Sequence, residues 1–256
     1  MRDLNTTLIQ CELAWERPED NRRQIGELIA GLRQDTDLIV LPEMFTTGFS
    51  MNAIGNAEQP GGATQQWLQG LALQYDCALT GSIAVHGDGG VYNRMLFATP
   101  DAVHYYDKRH LFRMAGEHKR YLPGSERVIV PWRGWRILLQ VCYDLRFPVF
   151  SRNRKDYDLA LYVANWPSTR RLHWRQLLVA RAIENQACVI GVNRIGSDAR
   201  GLDYSGDSLA ISADGSLLAD PENRSGGVVV QLDAAALQEY RKSFPCHLDA
   251  DDFWVE

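Results

Sequence analysis

Long apolar runs are missing from this 256-residue chain. None reaches the roughly 18 residues that a membrane-spanning helix needs, so no membrane partner is expected. The first residues, MRDLNTTLIQCELAW, place Asp3 and Asn5 where a signal peptide keeps its apolar core, so a cytoplasmic location is expected. Cysteine is sparse: Cys11, Cys77, Cys142, Cys188 and Cys246 are far apart, odd in number and form no CxxC pair. That spacing argues against a zinc cluster and against a disulfide framework. His110, His118 and His173 form no ligand-like set either, and no metal or other cofactor is expected. Basic tracts are short, RNRK at 152–155 being one, and the net charge is −5. The sign is wrong for a phosphate-backbone surface, which excludes nucleic acid as an expected partner.

What is present is ordinary for a globular enzyme-sized protein: 45% apolar and 23% charged residues. The length allows one domain with a large core, and no linker, repeat or low-complexity tract divides residues 1–256. Strands are predicted at 6–15, 38–41, 77–85, 92–98, 102–106, 127–130, 136–141, 159–163, 188–193, 209–212 and 227–232. Helices are predicted at 18–33, 64–75, 148–155, from Ser168 or Thr169 to Asn185, and at 234–241. Residues 45–62 and 107–126 carry no convincing regular pattern. A polar stretch as long as 107–126 is uncommon unless it lines a site or is disordered. The alternation of strands and helices, with hairpins inserted, predicts a layered α/β protein with mixed sheets. The tail from about 243 to 256 places Phe244, Phe253 and Trp254 in an acidic setting, and a docking surface on another subunit is expected to order it.

Three ionisable residues stand just past apolar strands: Glu43 after LIVLP, Lys108 after the 102–106 strand, and Cys142 after WRILLQV. Residues beyond strand ends meet in space when the strands share a sheet, and sites form there. A thiol is a strong nucleophile once deprotonated, a carboxylate can take its proton, and an ammonium lowers the thiol pKa and steadies a developing oxyanion. Each residue alone also has a plain reading: Cys142 as buried filler, Glu43 as a surface turn, Lys108 as a solvated loop residue. Position by itself leaves that choice open.

LIVLPEMF at 38–45, YDKRHLF at 106–112 and VCYDLRFP at 141–148, in that order, resemble the three signature regions of the nitrilase superfamily of carbon–nitrogen hydrolases. YNRM at 92–95, GEHKRYLPG at 116–124, NWP at 165–167 and VIGVNRIG at 189–196 extend the likeness over nearly the whole chain. The resemblance implies a four-layer α-β-β-α sandwich, a catalytic set of Glu43, Lys108 and Cys142 with Glu117 as a second glutamate, and no cofactor. It implies a homodimer or a higher oligomer, with the 175–186 helix near the interface. The chain is most similar to the omega-amidase branch, which hydrolyses the terminal amide of 2-oxo dicarboxylic acid monoamides such as 2-oxoglutaramate and 2-oxosuccinamate through a cysteine thioester.

On this reading the substrate is a small amide, and the Tyr143 backbone N–H joins Lys108 in holding the oxyanion. Arg146 is the first candidate for the substrate carboxylate, or else it ties down its own loop through Asp144. Arg113 and Arg120 are weaker candidates. Tyr121, Asn93 and Trp166 are expected on the pocket wall, Trp166 serving equally well as a packing aromatic. Arg181, Glu184 and Asn185 are expected to form salt links on a helix whose apolar face packs in the core. Another short-chain aliphatic or N-carbamoyl amidohydrolase shares the same catalytic set, and a non-enzymatic interaction protein has no need of it.

Overall fold

Strands that are apolar at every position need cover on both faces, and Leu38-Ile39-Val40 finds it at the centre of a six-stranded sheet. The computed structural model describes residues 1–32, 35–251 and 253. In chain order its first half holds β1 (Leu4–Gln10), α1 (Pro18–Ala30), β2 (Leu38–Val40), α2 (Ala53–Asn56), α3 (Ala63–Tyr75), β3 (Ala78–Gly87), β4 (Gly90–Ala98) and β5 (Val103–Asp107). The second half holds β6 (Ile129–Trp132), β7 (Trp135–Val141), α4 (Pro148–Ser151), β8 (Leu159–Ala164), α5 (Arg171–Asn185), β9 (Cys188–Asn193), β10 (Ile195–Ser197), β11 (Asp203–Ser205), β12 (Leu209–Ile211), β13 (Leu217–Ala219), β14 (Gly226–Leu232) and α6 (Ala234–Ser243).

The first sheet runs β14-β1-β2-β3-β4-β5 and the second β13-β12-β9-β8-β7-β6. Each has a parallel trio at its heart, β1-β2-β3 and β7-β8-β9, with antiparallel neighbours outside. Leu4, Val40 and Phe97 of one sheet share a buried cluster with Ile137, Leu161 and Ile190 of the other. The sheets therefore pack face to face. The outer face of the first is covered by Ile25 and Ile29 of α1 and Leu68 and Ala72 of α3. The outer face of the second is covered by Trp174, Leu178 and Ala182 of α5. The result is the expected α-β-β-α sandwich. Parallel strands put their C-terminal ends on one side, so the residues following β2, β7 and β8 meet at one rim.

Local departures from the sequence reading have local causes. The first strand stops at Gln10, short of Trp15. The helix expected over 148–155 is a single turn, because the Asn153 side chain accepts from the N–H groups of Asp156 and Tyr157 and closes a turn of its own. Neither Ser168 nor Thr169 caps the long helix: they lie in a 3₁₀ turn, Ser168–Arg170, and α5 starts at Arg171 with no side-chain cap. The strands β10, β11 and β13 are three residues each, too short to show a period. The predicted helix end at Arg33 lies outside the described residues, and α1 closes at Ala30. In the tail, Trp254 also lies outside them. Its neighbours rest on their own chain: the Phe244 carbonyl accepts from Gln186 Nε2 at 2.6 Å, and Phe253 sits under the Arg154 guanidinium.

Candidate active site

Cys142 follows β7 directly and adopts a left-handed backbone, φ +46°. A non-glycine residue in that region costs about 1–2 kcal/mol, and bonds on either side hold it there. Asp144 Oδ2 accepts the Val141 N–H at 2.9 Å, the chain winds into a 3₁₀ turn over Cys142–Arg146, and Arg181 Nη2 donates to the Leu145 carbonyl at 2.6 Å. Arg181 also pairs with Glu184 at 2.8 Å, so the salt link expected on this helix is present.

Glu43 lies three residues past β2. Its carboxylate accepts the Asn165 backbone N–H at 2.8 Å, and its carbonyl accepts Asn165 Nδ2 at 2.6 Å. The loop after β2 in one sheet is thereby tied to the loop after β8 in the other. Lys108 follows β5 and is fully buried; its N–H donates to the Asn93 carbonyl. Glu117 arrives from the irregular 107–126 segment, which contains only two one-turn 3₁₀ helices, Arg113–Ala115 and Glu117–Lys119. Gly116, at φ +77°, supplies the reversal between them. Glu117 Oε2 accepts the Phe112 N–H at 2.6 Å, closing the loop over the site.

The four side chains converge. Lys108 Nζ donates to Glu43 Oε1 at 2.8 Å and to both Glu117 oxygens at 3.1 Å. Glu43 lies close enough to the Cys142 thiol to raise its pKa. Asn93 Nδ2 bridges the carboxylates, 2.8 Å from Glu43 Oε1 and 3.2 Å from Glu117 Oε1.

Burial and charge set the protonation states. Burial alone lowers the pKa of Lys108, but Glu117, then Glu43 and Cys142, outweigh it and hold the ammonium charged far above its ordinary range. Burial raises Glu117, against the pull of Lys108 and with the push of Glu43. Burial also raises the Cys142 thiol well above its ordinary value of 9.0; Glu43 adds to this and Lys108 opposes it. The expectation that lysine lowers the thiol pKa is thus half right: it does so locally, and burial and the carboxylates win. The resting nucleophile is a thiol beside its base. Cys11, Cys77 and Cys188 are pushed up to about 12, chiefly by burial.

Cys142 opens onto a small cleft. Tyr143, Arg146 and Trp166 line it, as expected. Asn93 and Tyr121 do not. Asn93 is buried behind the carboxylates, and Tyr121 is buried with its hydroxyl donating to the Ser50 carbonyl at 2.8 Å. Both brace the site from behind. Arg146 is not tied to Asp144, whose oxygens are taken by Tyr106, His110 and Val141. Its guanidinium lies 4.8 Å over the Trp166 ring and 3.1 Å from His173 Nδ1. Trp166 is wall and packing at once: it faces the cleft, packs at a tilt against Trp174 and donates Nε1–H to the Arg170 carbonyl. Arg113 and Arg120 are exposed residues outside the cleft lining.

Sequence reasoning missed Arg170 and Arg200. Both line the cleft, Arg170 over Phe112 at 5.5 Å and Arg200 over Trp15 at 5.6 Å. Among the described residues, neither they nor Arg146 make a carboxylate ion pair, whereas the adjacent Arg171 is held bidentately by Asp207. The only prior signal was that Arg170 follows NWP closely. Asp198 also lines the cleft, but its carboxylate is occupied by the Arg200 and Leu202 N–H groups and the Tyr204 hydroxyl. Among the described residues, no group of three or more His, Cys, Asp or Glu is placed to hold a metal ion, and no helix is long and apolar enough to cross a membrane.

An α-β-β-α sandwich with a buried Glu–Lys–Cys cluster at its strand ends defines a class of amidohydrolases. The family model for carbon-nitrogen hydrolases matches residues 5–242, and the chain belongs to that family, in its omega-amidase-like part. It is 52% identical over 258 residues, with 99% of both chains covered, to the omega-amidase YafV of Yersinia enterocolitica. It is 32% identical to the 2-oxoglutaramate amidase of Bacillus subtilis, covering 93% of each. The crystal structure of XC1258 from Xanthomonas campestris, a CN-hydrolase superfamily protein with an arsenic adduct in its active site, superposes over both full chains with a TM-score of 0.98 at 48% identity.

Proposed function

We propose that the protein hydrolyses the terminal amide of 2-oxo dicarboxylic acid monoamides, 2-oxoglutaramate and 2-oxosuccinamate, to the 2-oxo acid and ammonia. One observation carries the reading: the Cys142 thiol lines the cleft with Glu43 buried beneath it, and three cleft guanidiniums, Arg146, Arg170 and Arg200, make no carboxylate ion pair among the described residues. Such a cleft suits a substrate with an amide at one end and a carboxylate at the other. The names of the relatives point the same way.

The geometry supports the following chemistry. Glu43 takes the thiol proton as Cys142 Sγ bonds to the amide carbon. Lys108 Nζ and the Tyr143 N–H receive the oxyanion, a donor of this kind supplying about 3 kcal/mol. Glu43 returns its proton to the nitrogen, the C–N bond breaks, and ammonia leaves a thioester. Water then attacks that thioester, losing a proton to Glu43, and the acid and the thiol are released. Glu117 holds the ammonium from its far side and leaves Glu43 free to cycle. The reading extends to a homodimer: Leu172 and Ile183 on α5, with Val149, are exposed apolar residues suited to a subunit contact.

An ammonia-release panel tests the substrate. 2-Oxoglutaramate and 2-oxosuccinamate are expected to be turned over far better than propionamide, an N-carbamoyl amino acid or a simple nitrile. Better turnover of propionamide or of the carbamoyl compound overturns the choice.

A further inference from the structure

We infer that Asp144 and His110 form a positioning pair that holds the nucleophile-bearing turn and the lysine-bearing loop in register. The inference rests on Cys142 and Lys108 having the roles proposed above.

Asp144 is fully buried two residues past Cys142, and no lysine or arginine pairs with it among the described residues. Its four hydrogen bonds come from three residues on two segments. Oδ2 accepts the Val141 N–H at 2.9 Å and the Tyr106 hydroxyl at 2.8 Å. Oδ1 accepts the His110 N–H at 2.9 Å and faces His110 Nδ1 at 2.7 Å. Val141 immediately precedes the nucleophile. Tyr106 and His110 flank Lys108, two residues to either side. The Tyr106 hydroxyl in turn accepts the Arg109 N–H at 3.1 Å. A single carboxylate thus clamps the backbone before Cys142 to both sides of Lys108.

The clamp has work to do, because Cys142 sits at φ +46°, a conformation that a non-glycine residue keeps only where its surroundings hold it. Relaxation there swings Sγ and the Tyr143 N–H away from Glu43 and Lys108. His110 completes the clamp. Its ring lies flat on Phe147, 3.9 Å between centroids with 10° between planes, and edge-on to Phe150 at 5.5 Å. Those contacts fix the ring, and the buried carboxylate fixes the tautomer with the proton on Nδ1. His110 touches none of the four converging side chains, so it acts through Asp144.

The structure separates donor from stack. His110→Phe keeps the stacking surface and removes the donor. His110→Asn removes the stack but can place an amide N–H where Nδ1–H lies. His110 is partly exposed, so both variants are expected to fold. Asp144→Asn is the harsher test, since an amide NH₂ faces donors on at least one side. Two readouts are needed: steady-state kinetics on 2-oxoglutaramate, and the rate at which iodoacetamide alkylates Cys142, followed by peptide mass spectrometry. A misplaced reacting group costs about 100-fold. His110→Phe is expected to lose about 10- to 100-fold in kcat with little change in KM, a range typical of groups that orient a reacting residue. His110→Asn is expected to recover most of that loss, and Cys142 alkylation to change in His110→Phe and return toward wild type in His110→Asn. Wild-type kcat in His110→Phe, equal losses in Phe and Asn variants, or a loss confined to KM overturns the inference. The alkylation readout does not depend on substrate. If Cys142→Ala keeps full amidase activity, the proposed chemistry fails, while the alkylation comparison still reports on the clamp.

Discussion

Lys108 Nζ lies 2.8 Å from Glu43 Oε1, with both side chains fully shielded from water. A buried ion pair is held by mutual attraction against a large desolvation cost, so removing one partner strands the other. Lys108 answers two carboxylates, Glu43 and Glu117. Lys108→Ala is expected to abolish turnover and to destabilise the fold by about 3–5 kcal/mol, read as a lowered denaturation midpoint. Adding Glu117→Gln to that variant removes one stranded charge and restores part of the midpoint but none of the activity. A midpoint unchanged by Lys108→Ala rules out this electrostatic account.

The backbone of Cys142 gives a second prediction, separate from its sulfur. Cys142→Ala and Cys142→Gly both lose the nucleophile, but only glycine accepts φ +46° without penalty. Releasing that strain is worth about 1–2 kcal/mol, offset by about 0.4–1 kcal/mol from the greater freedom of the unfolded glycine chain. Cys142→Gly is therefore expected to be inactive yet to equal or exceed Cys142→Ala in stability, by up to about 1 kcal/mol in urea titrations. Clearly lower stability of the glycine variant contradicts the strained-turn description.

The rim arginines are expected to separate substrates rather than to run the chemistry. A charge-assisted hydrogen bond contributes about 1.5–3 kcal/mol. Arg146→Ala and Arg170→Ala should each raise KM for 2-oxoglutaramate about 10- to 100-fold while leaving propionamide turnover near its wild-type level. Equal effects on both amides would mean that these residues shape the cleft without reading the carboxylate.

How much of this was legible in the chain depends on the kind of signal each residue left. The interior strands announced themselves through apolar runs, and Glu43, Lys108 and Cys142 stood out as ionisable residues beyond them. Their meeting did not. They lie 65 and 34 residues apart, and nothing local says that β5 closes one edge while β7 comes from the other sheet; motif resemblance supplied that step. Asn93 was picked out but misplaced. In β4 it alternates with half-exposed Tyr92 and Arg94, so its side chain faces inward, beneath the carboxylates. Arg170 and Arg171 are chemically identical neighbours. Asp207, 36 residues on, claims one and leaves the other to the cleft. Partners that distant leave no trace in spacing or composition.

The protonated resting thiol predicts how Cys142 responds to pH. Burial and the neighbouring Glu43 raise its pKa well above 9.0, so only a small fraction is thiolate near neutrality. Alkylation by iodoacetamide requires the thiolate. In the absence of substrate, the rate at Cys142 is expected to climb steadily from pH 6 through pH 9 without levelling off. A plateau near pH 6 or 7 would signal a preformed thiolate–ammonium pair instead and would reassign the base in the first step.

Acid stability turns on Asp158, far from the cleft. It sits just before β8, where Arg136 holds it at 2.8 Å and Arg241 of α6 at 2.6 Å. Burial pushes its carboxyl up, but the bonds to Arg136 and Arg241 outweigh burial and lower it below the ordinary 3.8. A depressed folded-state pKa means that this stabilisation is complete above the unfolded value and is lost as pH falls through the folded one. The loss window therefore lies below about pH 3.8. With Arg136 half exposed and partly screened, Asp158→Asn is expected to cost about 1–2 kcal/mol at pH 7. Urea midpoints for wild type and variant, followed downward from pH 7, should run parallel to about pH 4 and converge below it. Midpoints that stay equally separated down to pH 2 would place the source of the difference in packing rather than in charge.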